Sequence, residues 1–173
     1  MVKTNFLGMV KFACLASLSF YMRSCHGYLV AFTMASCPSC KKEGLGVEKI
    51  VVINHSKENT WPIEEGEWFL CEQAGCDVVY FGGDGKRTIK RQDVKTRVTF
   101  KETSAPRPLC YCKMVTEEDV IEAVEKGART LAEVRKATGI GGGGYCELTN
   151  PGGACCSRNY VPFIEKQLKG KGK

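Results

Sequence analysis

The stretch Leu109-Cys110-Tyr111-Cys112-Lys113-Met114-Val115-Thr116-Glu117-Glu118-Asp119-Val120-Ile121-Glu122-Ala123-Val124-Glu125-Lys126-Gly127 decides how the second half of the chain folds. Thr116 followed by Asp119 is a helix N-cap signature, Val120, Ile121 and Val124 supply an apolar stripe, and Gly127 is placed to end the helix. Thr130 with Glu133 repeats the capping pattern, Leu131 and Val134 continue the stripe, and Gly139 stops a second helix. A third helix is expected over residues 159–168, with Pro162 in its first turn, where a missing N–H costs little.

Upstream, the pattern changes. Residues 49–53, 67–71, 77–81 and 96–101 are short runs of β-forming residues, separated by turn signals such as Gly82-Gly83-Asp84-Gly85, and read as a small antiparallel β unit. The charged segment that ends in Pro106-Arg107-Pro108 suits a hairpin and a stiff linker. The fold class is therefore α+β: a β unit over residues 34–105, a helical domain over 106–168 and a flexible basic tail over 169–173. A length of 173 residues leaves no room for a large barrel or a complete Rossmann enzyme.

Cysteine is the anomaly of composition, with 11 cysteines against 2 histidines. That ratio disfavours histidine-based catalytic metal sites and leaves thiolate-bound metal or a disulfide framework. The first set is Cys37-x2-Cys40 with Cys71-x4-Cys76. Two thiolates from one tight knuckle and two from a hairpin can close on a tetrahedral ion at about 2.3 Å, and four thiolates suit zinc. Two disulfides, or a redox-active Cys37-Pro38-Ser39-Cys40 motif, are the alternatives; no helix pattern follows Cys40 to lower a thiol pKa.

The second set is Cys110-x-Cys112, Cys146 and the pair Cys155-Cys156. Cysteines one residue apart project poorly onto a zinc knuckle but can bind one iron of a flat two-iron cluster. Cys110 and Cys112 are expected just before the first helix, Cys146 after the Gly-rich loop that follows the second, and Cys156 just before the third. Free N–H groups at helix N-termini would then donate to thiolate and sulfide sulfur. Zinc in a second ribbon is the alternative. Each half is small enough that its apolar core supplies only about 3–5 kcal/mol. Structural zinc contributes an apparent ~10–16 kcal/mol, so its removal is expected to unfold the first half.

Residues 1–33 are apolar and carry Lys3, Lys11 and Arg23 but no acidic residue. Lys11 splits the apolar run, so no span of about 18 residues is available for a membrane helix, and no clean cleavage site follows. The segment reads as a spurious or unstructured leader, with the protein proper beginning at Met34. Setting it aside lowers the formal charge from +6 to +3, which weakens a nucleic-acid reading. The Gly139-Ile140-Gly141-Gly142-Gly143-Gly144 run follows a helix rather than a strand and reads as a cluster-side loop, not a phosphate loop. Lys86, Arg87, Lys90, Arg91, Lys95, Arg97 and Lys101 read as a solvated hairpin face or a docking patch for an acidic partner. Trp61 and Trp68 read as core or hairpin residues, His55 as exposed, and Cys155 as a spare thiol or an alternative fourth ligand.

Leu109-Cys110-Tyr111-Cys112, Val115-Thr116-Glu117-Glu118-Asp119, Gly127-Ala128-Arg129-Thr130-Leu131, Thr138-Gly139 and the late cysteines resemble the [2Fe-2S] domain of bacterioferritin-associated ferredoxin (BFD). With Cys37-Pro38-Ser39-Cys40, Phe69-Leu70-Cys71, the run from Cys76 to Phe81, Lys95-Thr96-Arg97-Val98 and Thr149-Asn150-Pro151-Gly152-Gly153-Ala154-Cys155-Cys156, the chain resembles the N-terminal part of CopZ-type metallochaperones over residues 34–168. The resemblance implies zinc at Cys37, Cys40, Cys71 and Cys76, and a [2Fe-2S] cluster at Cys110, Cys112, Cys146 and Cys156, with Cys155 as the alternative. It implies a cytoplasmic electron-transfer metallochaperone, not an enzyme in the strict sense, that reduces cupric to cuprous ion for delivery. The sequence ends at Lys173 without a Met-x-Cys-x-x-Cys copper loop, so copper binding is not carried over. The implied partner is a separate copper-binding chaperone or a copper-transporting ATPase. Two alternatives stand beside it: a ferredoxin-like electron donor for iron release from a bacterioferritin, and a zinc-dependent nucleic-acid-binding module without a cluster.

Overall fold

The computed structural model describes residues 34–170; the expectations for residues 1–33 and 171–173 fall outside the described residues. The first region is built on a four-stranded antiparallel sheet in the order β1 (Leu45–Val47), β2 (Trp68–Leu70), β3 (Val78–Gly82) and β4 (Thr88–Lys90). Register pairs Leu45 with Leu70, Phe69 with Phe81 and Tyr80 with Ile89. Because successive side chains alternate across a strand, Leu70 and Tyr80 join Val52, Ile63, Ile89, Val94 and Val98 in one core, and Val79 enters the same core where a register shift between Val78 and Tyr80 breaks the alternation. Phe69 and Phe81 stack with centroids 5.5 Å apart and pack instead with Cys37, Cys71 and Cys76. The central strands are thus buried on both faces.

Two of the four expected strands are present, and two are corrected. Residues 49–53 belong to helix α1 (Lys49–His55), not to a strand. Val51, Val52 and His55 are its buried residues, a helical spacing that a run of β-branched residues concealed. Residues 96–101 form no strand but end in a 3-10 turn, Thr99–Lys101. Thr99 is drawn to the Tyr111 hydroxyl and Lys101 to three backbone carbonyls, in place of a ladder. The hairpin partner of β3 is the short β4 instead.

The second region opens with the hairpin β5 (Pro108–Cys110) and β6 (Val115–Thr116), followed by α2 (Glu117–Glu125), α3 (Leu131–Thr138), the single-turn α4 (Cys146–Thr149) and α5 (Ser157–Gly170). Both expected capping boxes are present, Thr116 with Asp119 and Thr130 with Glu133. Gly139 closes α3 in the left-handed conformation at φ 76°. Val120, Val124, Val134, Ile140, Tyr160 and Ile164 pack into one core with Leu109 and Cys156. The third expected helix, α5, starts earlier than residue 159, because the Cys156 carbonyl already accepts from the Asn159 and Tyr160 N–H groups. Pro162 therefore lies in the second turn, where the N–H it lacks would have met the carbonyl of exposed Arg158. Among the described residues no helix is long and apolar enough to cross a membrane.

Candidate metal centres

Cys37 and Cys40 sit in a tight turn in which Cys37 N–H donates to the Lys42 carbonyl at 2.8 Å and Lys41 N–H to the Cys37 carbonyl at 2.9 Å, with Lys41 at φ 61°. Gly44 follows because the chain there presses on the aromatic stack: a Cβ would stand 2.5 Å from the Phe81 ring. Cys71 and Cys76 bound the loop from β2 to β3. The turn delivers two thiols and the loop two more. All four sulfur atoms lie within 4.8 Å of one another, with Cys37–Cys76 at 3.9 Å and Cys40–Cys71 at 3.6 Å. Sulfurs bound tetrahedrally at 2.3 Å would be about 3.8 Å apart, so this quartet has the dimensions of a zinc site without rearrangement. None of the nine described cysteines is disulfide-bonded, against the framework alternative.

Burial and local hydrogen bonds pull the thiols of the quartet in opposite directions. Burial pushes the Cys71 thiol up to about 12, while Lys101 draws it down in part. Burial also raises Cys76, but the Val78 N–H and the side chains of Ser39, Cys40 and Cys71 outweigh it and bring that thiol to about 7. Lys101, itself 2% exposed, donates from Nζ to the carbonyls of Gln73 at 2.7 Å, Cys76 at 3.1 Å and Val78 at 2.8 Å. Arg91 grips the same loop through the carbonyls of Ala74 and Cys76 and also holds the Lys101 carbonyl. Two cations thus brace the loop that carries two of the thiols.

This changes the reading of the basic stretch. Arg87 lies 5.0 Å over the Trp68 ring and pairs with Asp84 at 3.1 Å, and Arg97 pairs with Glu102 at 2.7 Å. With Arg91 and Lys101 engaged as well, four of the seven charges act within the fold, against a wholly solvated face.

The second set is more open. Cys110 ends β5, Cys112 follows in the hairpin turn, Cys146 opens α4 and Cys156 immediately precedes α5. The β5–β6 hairpin therefore separates Cys110 and Cys112 from the helix they were expected to abut. Sulfurs of Cys110 and Cys112 are 3.6 Å apart and those of Cys112 and Cys146 are 3.8 Å apart. Yet among the described residues only the first quartet brings three or more ligand atoms within 4.8 Å of one another. The Cys110–Cys112 and Cys112–Cys146 separations each match a tetrahedral edge, but no three thiols of this set close on one point as a single ion requires, against a second zinc ribbon. Burial pushes the Cys146 thiol up to about 12 and the Cys156 thiol to about 11, with neighbouring cysteines adding to both.

Cys156 is 2% exposed, and its Sγ accepts from the Asn150 side-chain amide at 3.6 Å; Cys155 is exposed. Gly143 of the Gly-rich loop lies against the Cys112 thiol, which places the loop beside the second set as expected. Two supporting residues lie within the family-like motifs, but nothing in the sequence marks their role. Tyr111 accepts from the Thr99 N–H at 3.0 Å, and Asn150 donates from its own N–H to the Cys146 carbonyl at 3.0 Å. His55, read as exposed, is 4% exposed: its Nδ1 meets Thr96 Oγ1 at 2.7 Å and its Nε2 completes no hydrogen bond. Trp68 is core, while Trp61 is half exposed.

Comparison with known proteins agrees with this geometry. Residues 34–95 match the CopZ-type zinc binding domain family, and residues 108–148 match the BFD-like [2Fe-2S] binding domain family. The second match ends before Cys155 and Cys156. The copper chaperone CopZ of Archaeoglobus fulgidus is 40% identical over 124 residues, 71% of this chain and 58% of that protein, so the chain spans little more than half the length of that relative. An X-ray structure of the A. fulgidus CopZ N-terminal domain matches with a TM-score of 0.66 at 37% identity, over 73% of this chain and 95% of that one. The chain belongs to the family of that N-terminal region, a CopZ-like zinc-binding unit followed by a BFD-like [2Fe-2S] domain.

Proposed function

We propose that this chain is the electron-transfer part of a cytoplasmic copper-handling system, with residues 34–105 binding zinc and residues 106–168 binding the cluster. Cys37, Cys40, Cys71 and Cys76 are the zinc ligands, and Cys110, Cys112, Cys146 and Cys156 hold the [2Fe-2S] cluster. The observation that carries this reading is that the first set closes four thiols on one point, as a single ion requires, whereas the second brings no three of its thiols together. Zinc has a filled d shell and stays structural, whereas a bound [2Fe-2S] cluster supplies one electron at a time. One electron given to one Cu(II) makes one Cu(I), which a copper-binding chaperone or a copper-transporting ATPase then receives. The identity of the A. fulgidus relative as a copper chaperone supports that cargo. The chain's own thiols hold the cluster with Cys112 and Cys146 half-buried, so that an electron has a short path to the surface.

The test is anaerobic purification of the full chain with zinc, iron and acid-labile sulfide counted, followed by titration of the reduced protein with Cu(II) in the presence of a cuprous-specific chromogenic chelator. One zinc and two irons per chain, an EPR signal on reduction and one Cu(I) per cluster are expected. A cluster that donates to a bacterioferritin core but not to Cu(II) would favour the iron-release reading, which the BFD-like match over residues 108–148 supports. A folded preparation without labile sulfide would overturn both.

A further inference from the structure

The Cys146–Cys156 loop is braced from within and from without. Within it, Asn150 donates from its backbone N–H to the Cys146 carbonyl at 3.0 Å and from its side-chain amide to Cys156 Sγ at 3.6 Å. Outside it, the brace is the first region. Tyr80, fully buried, donates its hydroxyl to the carbonyl of Pro151, the residue after Asn150, at 2.9 Å. Gly153 at φ +65° lies so close to α1 that a Cβ would stand 3.0 Å from Val51 Cγ2, and a Cβ on Gly152 would touch Leu70 and Leu45 at 3.6 and 3.7 Å.

The other cysteine pair is held in the same manner. Tyr111, between Cys110 and Cys112, bonds through its hydroxyl to Thr99 N and Oγ1, both at 3.0 Å. Thr99 heads the 3-10 turn whose Lys101 clamps the Gln73, Cys76 and Val78 carbonyls. Tyr80 lies on β3, the strand that leaves Cys76, and Leu70 directly precedes Cys71. Each cysteine pair of the second set is therefore tied to backbone that adjoins a thiol of the first.

From these contacts we infer that the zinc-binding region is the template for the second cysteine set, with Tyr80 and Tyr111 as positioning residues, so that zinc occupancy and cluster retention are thermodynamically linked. The inference rests on the proposed cluster. Linkage is reciprocal: whatever zinc does to cluster retention, the cluster does to zinc affinity. Tyr80→Phe keeps the buried ring and removes only the donor, leaving the Pro151 carbonyl unpaired in a buried site.

The experiment compares full-length wild type, Tyr80→Phe and Tyr111→Phe, purified without oxygen, by metal and sulfide count, visible circular dichroism, cluster midpoint potential and the rate of bleaching by an iron chelator. Tyr80→Phe is expected to keep one zinc per chain, to bleach about tenfold faster, and to show altered dichroism and a shifted potential. Wild type stripped of zinc is expected to bleach faster than zinc-replete protein and to recover its rate when zinc is restored. Wild-type bleaching, dichroism and potential in both tyrosine variants, or a bleaching rate indifferent to zinc, would overturn the inference. Should Tyr80→Phe fail to fold, the zinc-stripped wild type decides by itself. Wild type without iron and sulfide would defeat the proposed function, and the inference with it. A wild-type cluster indifferent to zinc and to both tyrosines defeats the inference alone.

Discussion

Gly143 lies directly against Cys112: a Cβ built on Gly143 would overlap the Cys112 Sγ. The Gly-rich loop thus approaches a thiol more closely than any side chain permits, while a Cβ on Gly144 would meet nothing within 4 Å. Gly143→Ala is expected to abolish cluster loading, or cut it severalfold, with zinc unchanged. Gly144→Ala is expected to load normally. Iron and labile sulfide per chain report the difference, and equal loading in the two variants would refute this role for Gly143.

Lys101 is the other contact on which much depends. Lys101→Met removes the donor to three carbonyls of the Cys71–Cys76 loop and its flank, so the variant is expected to lose about 3 kcal/mol of stability and to release zinc to a chelator faster. Denaturant unfolding and a zinc-release trace measure both. A variant with wild-type zinc release would show that the loop is held without this cation.

How much of this was legible in the sequence depends on how local each signal was. Thr116, Asp119, Thr130, Glu133 and Gly139 act within one helical turn, and each does what its spacing predicts. The first cysteine quartet was legible because two short-range pairs define it. Residues 49–53 read as a strand because Val51 and Val52 carry strand propensity; only the packing of Val52 into the sheet core and of Val51 against Gly153 makes them a helix face. Lys101 looked like one more exposed charge in a basic run; its three acceptors lie 23 or more residues upstream, beyond any local pattern. Tyr80 and Pro151, 71 residues apart, escaped notice for the same reason.

The capping boxes give a calibrated expectation. Thr116→Ala and Thr130→Ala each remove a side-chain acceptor for an N–H at the start of a helix. Each is expected to cost about 1 kcal/mol, and the double variant close to the sum, since separate helices are capped. Chemical denaturation of the holoprotein checks the values.

His55 makes acid stability predictable in sign. Its imidazole is held down to about 4 from 6.5, by burial first and by the Lys95 charge, against a partly opposing Asn150 backbone. Above pH 6.5 the ring is neutral whether folded or unfolded and contributes no pH dependence. As pH falls below 6.5 the unfolded chain takes up a proton that the folded one refuses until about pH 4, so stability is lost across that window. By pH 5 the loss is about 2 kcal/mol. Metal release in acid affects every variant, so the relevant quantity is the slope of stability against pH in wild type minus that in His55→Phe. Equal slopes would mean that His55 takes up its proton at the same pH in the folded and unfolded chain.

Cys155 and Cys156 are adjacent, but the fold treats them differently. Cys156 is buried, its carbonyl starts α5, and its sulfur accepts from Asn150; Cys155 is exposed, and although burial raises its thiol, the Ser157 N–H and hydroxyl bring it below the ordinary range. The hydrogen bonds from Ser157 favour the charged form of Cys155, but a buried ligand is shielded from exchange, and of the two only Cys156 is buried. Cys156→Ser is therefore expected to lose the cluster or to shift its visible spectrum as oxygen replaces sulfur. Cys155→Ser is expected to retain spectrum, iron count and potential. The reverse pattern would move the fourth ligand to Cys155, and a spectral change in both variants would mean that the two thiols exchange at one iron. Asn150→Asp supplies an independent check: it replaces the donating amide with a carboxylate beside the sulfur, and the midpoint potential is expected to fall while zinc content stays at one per chain.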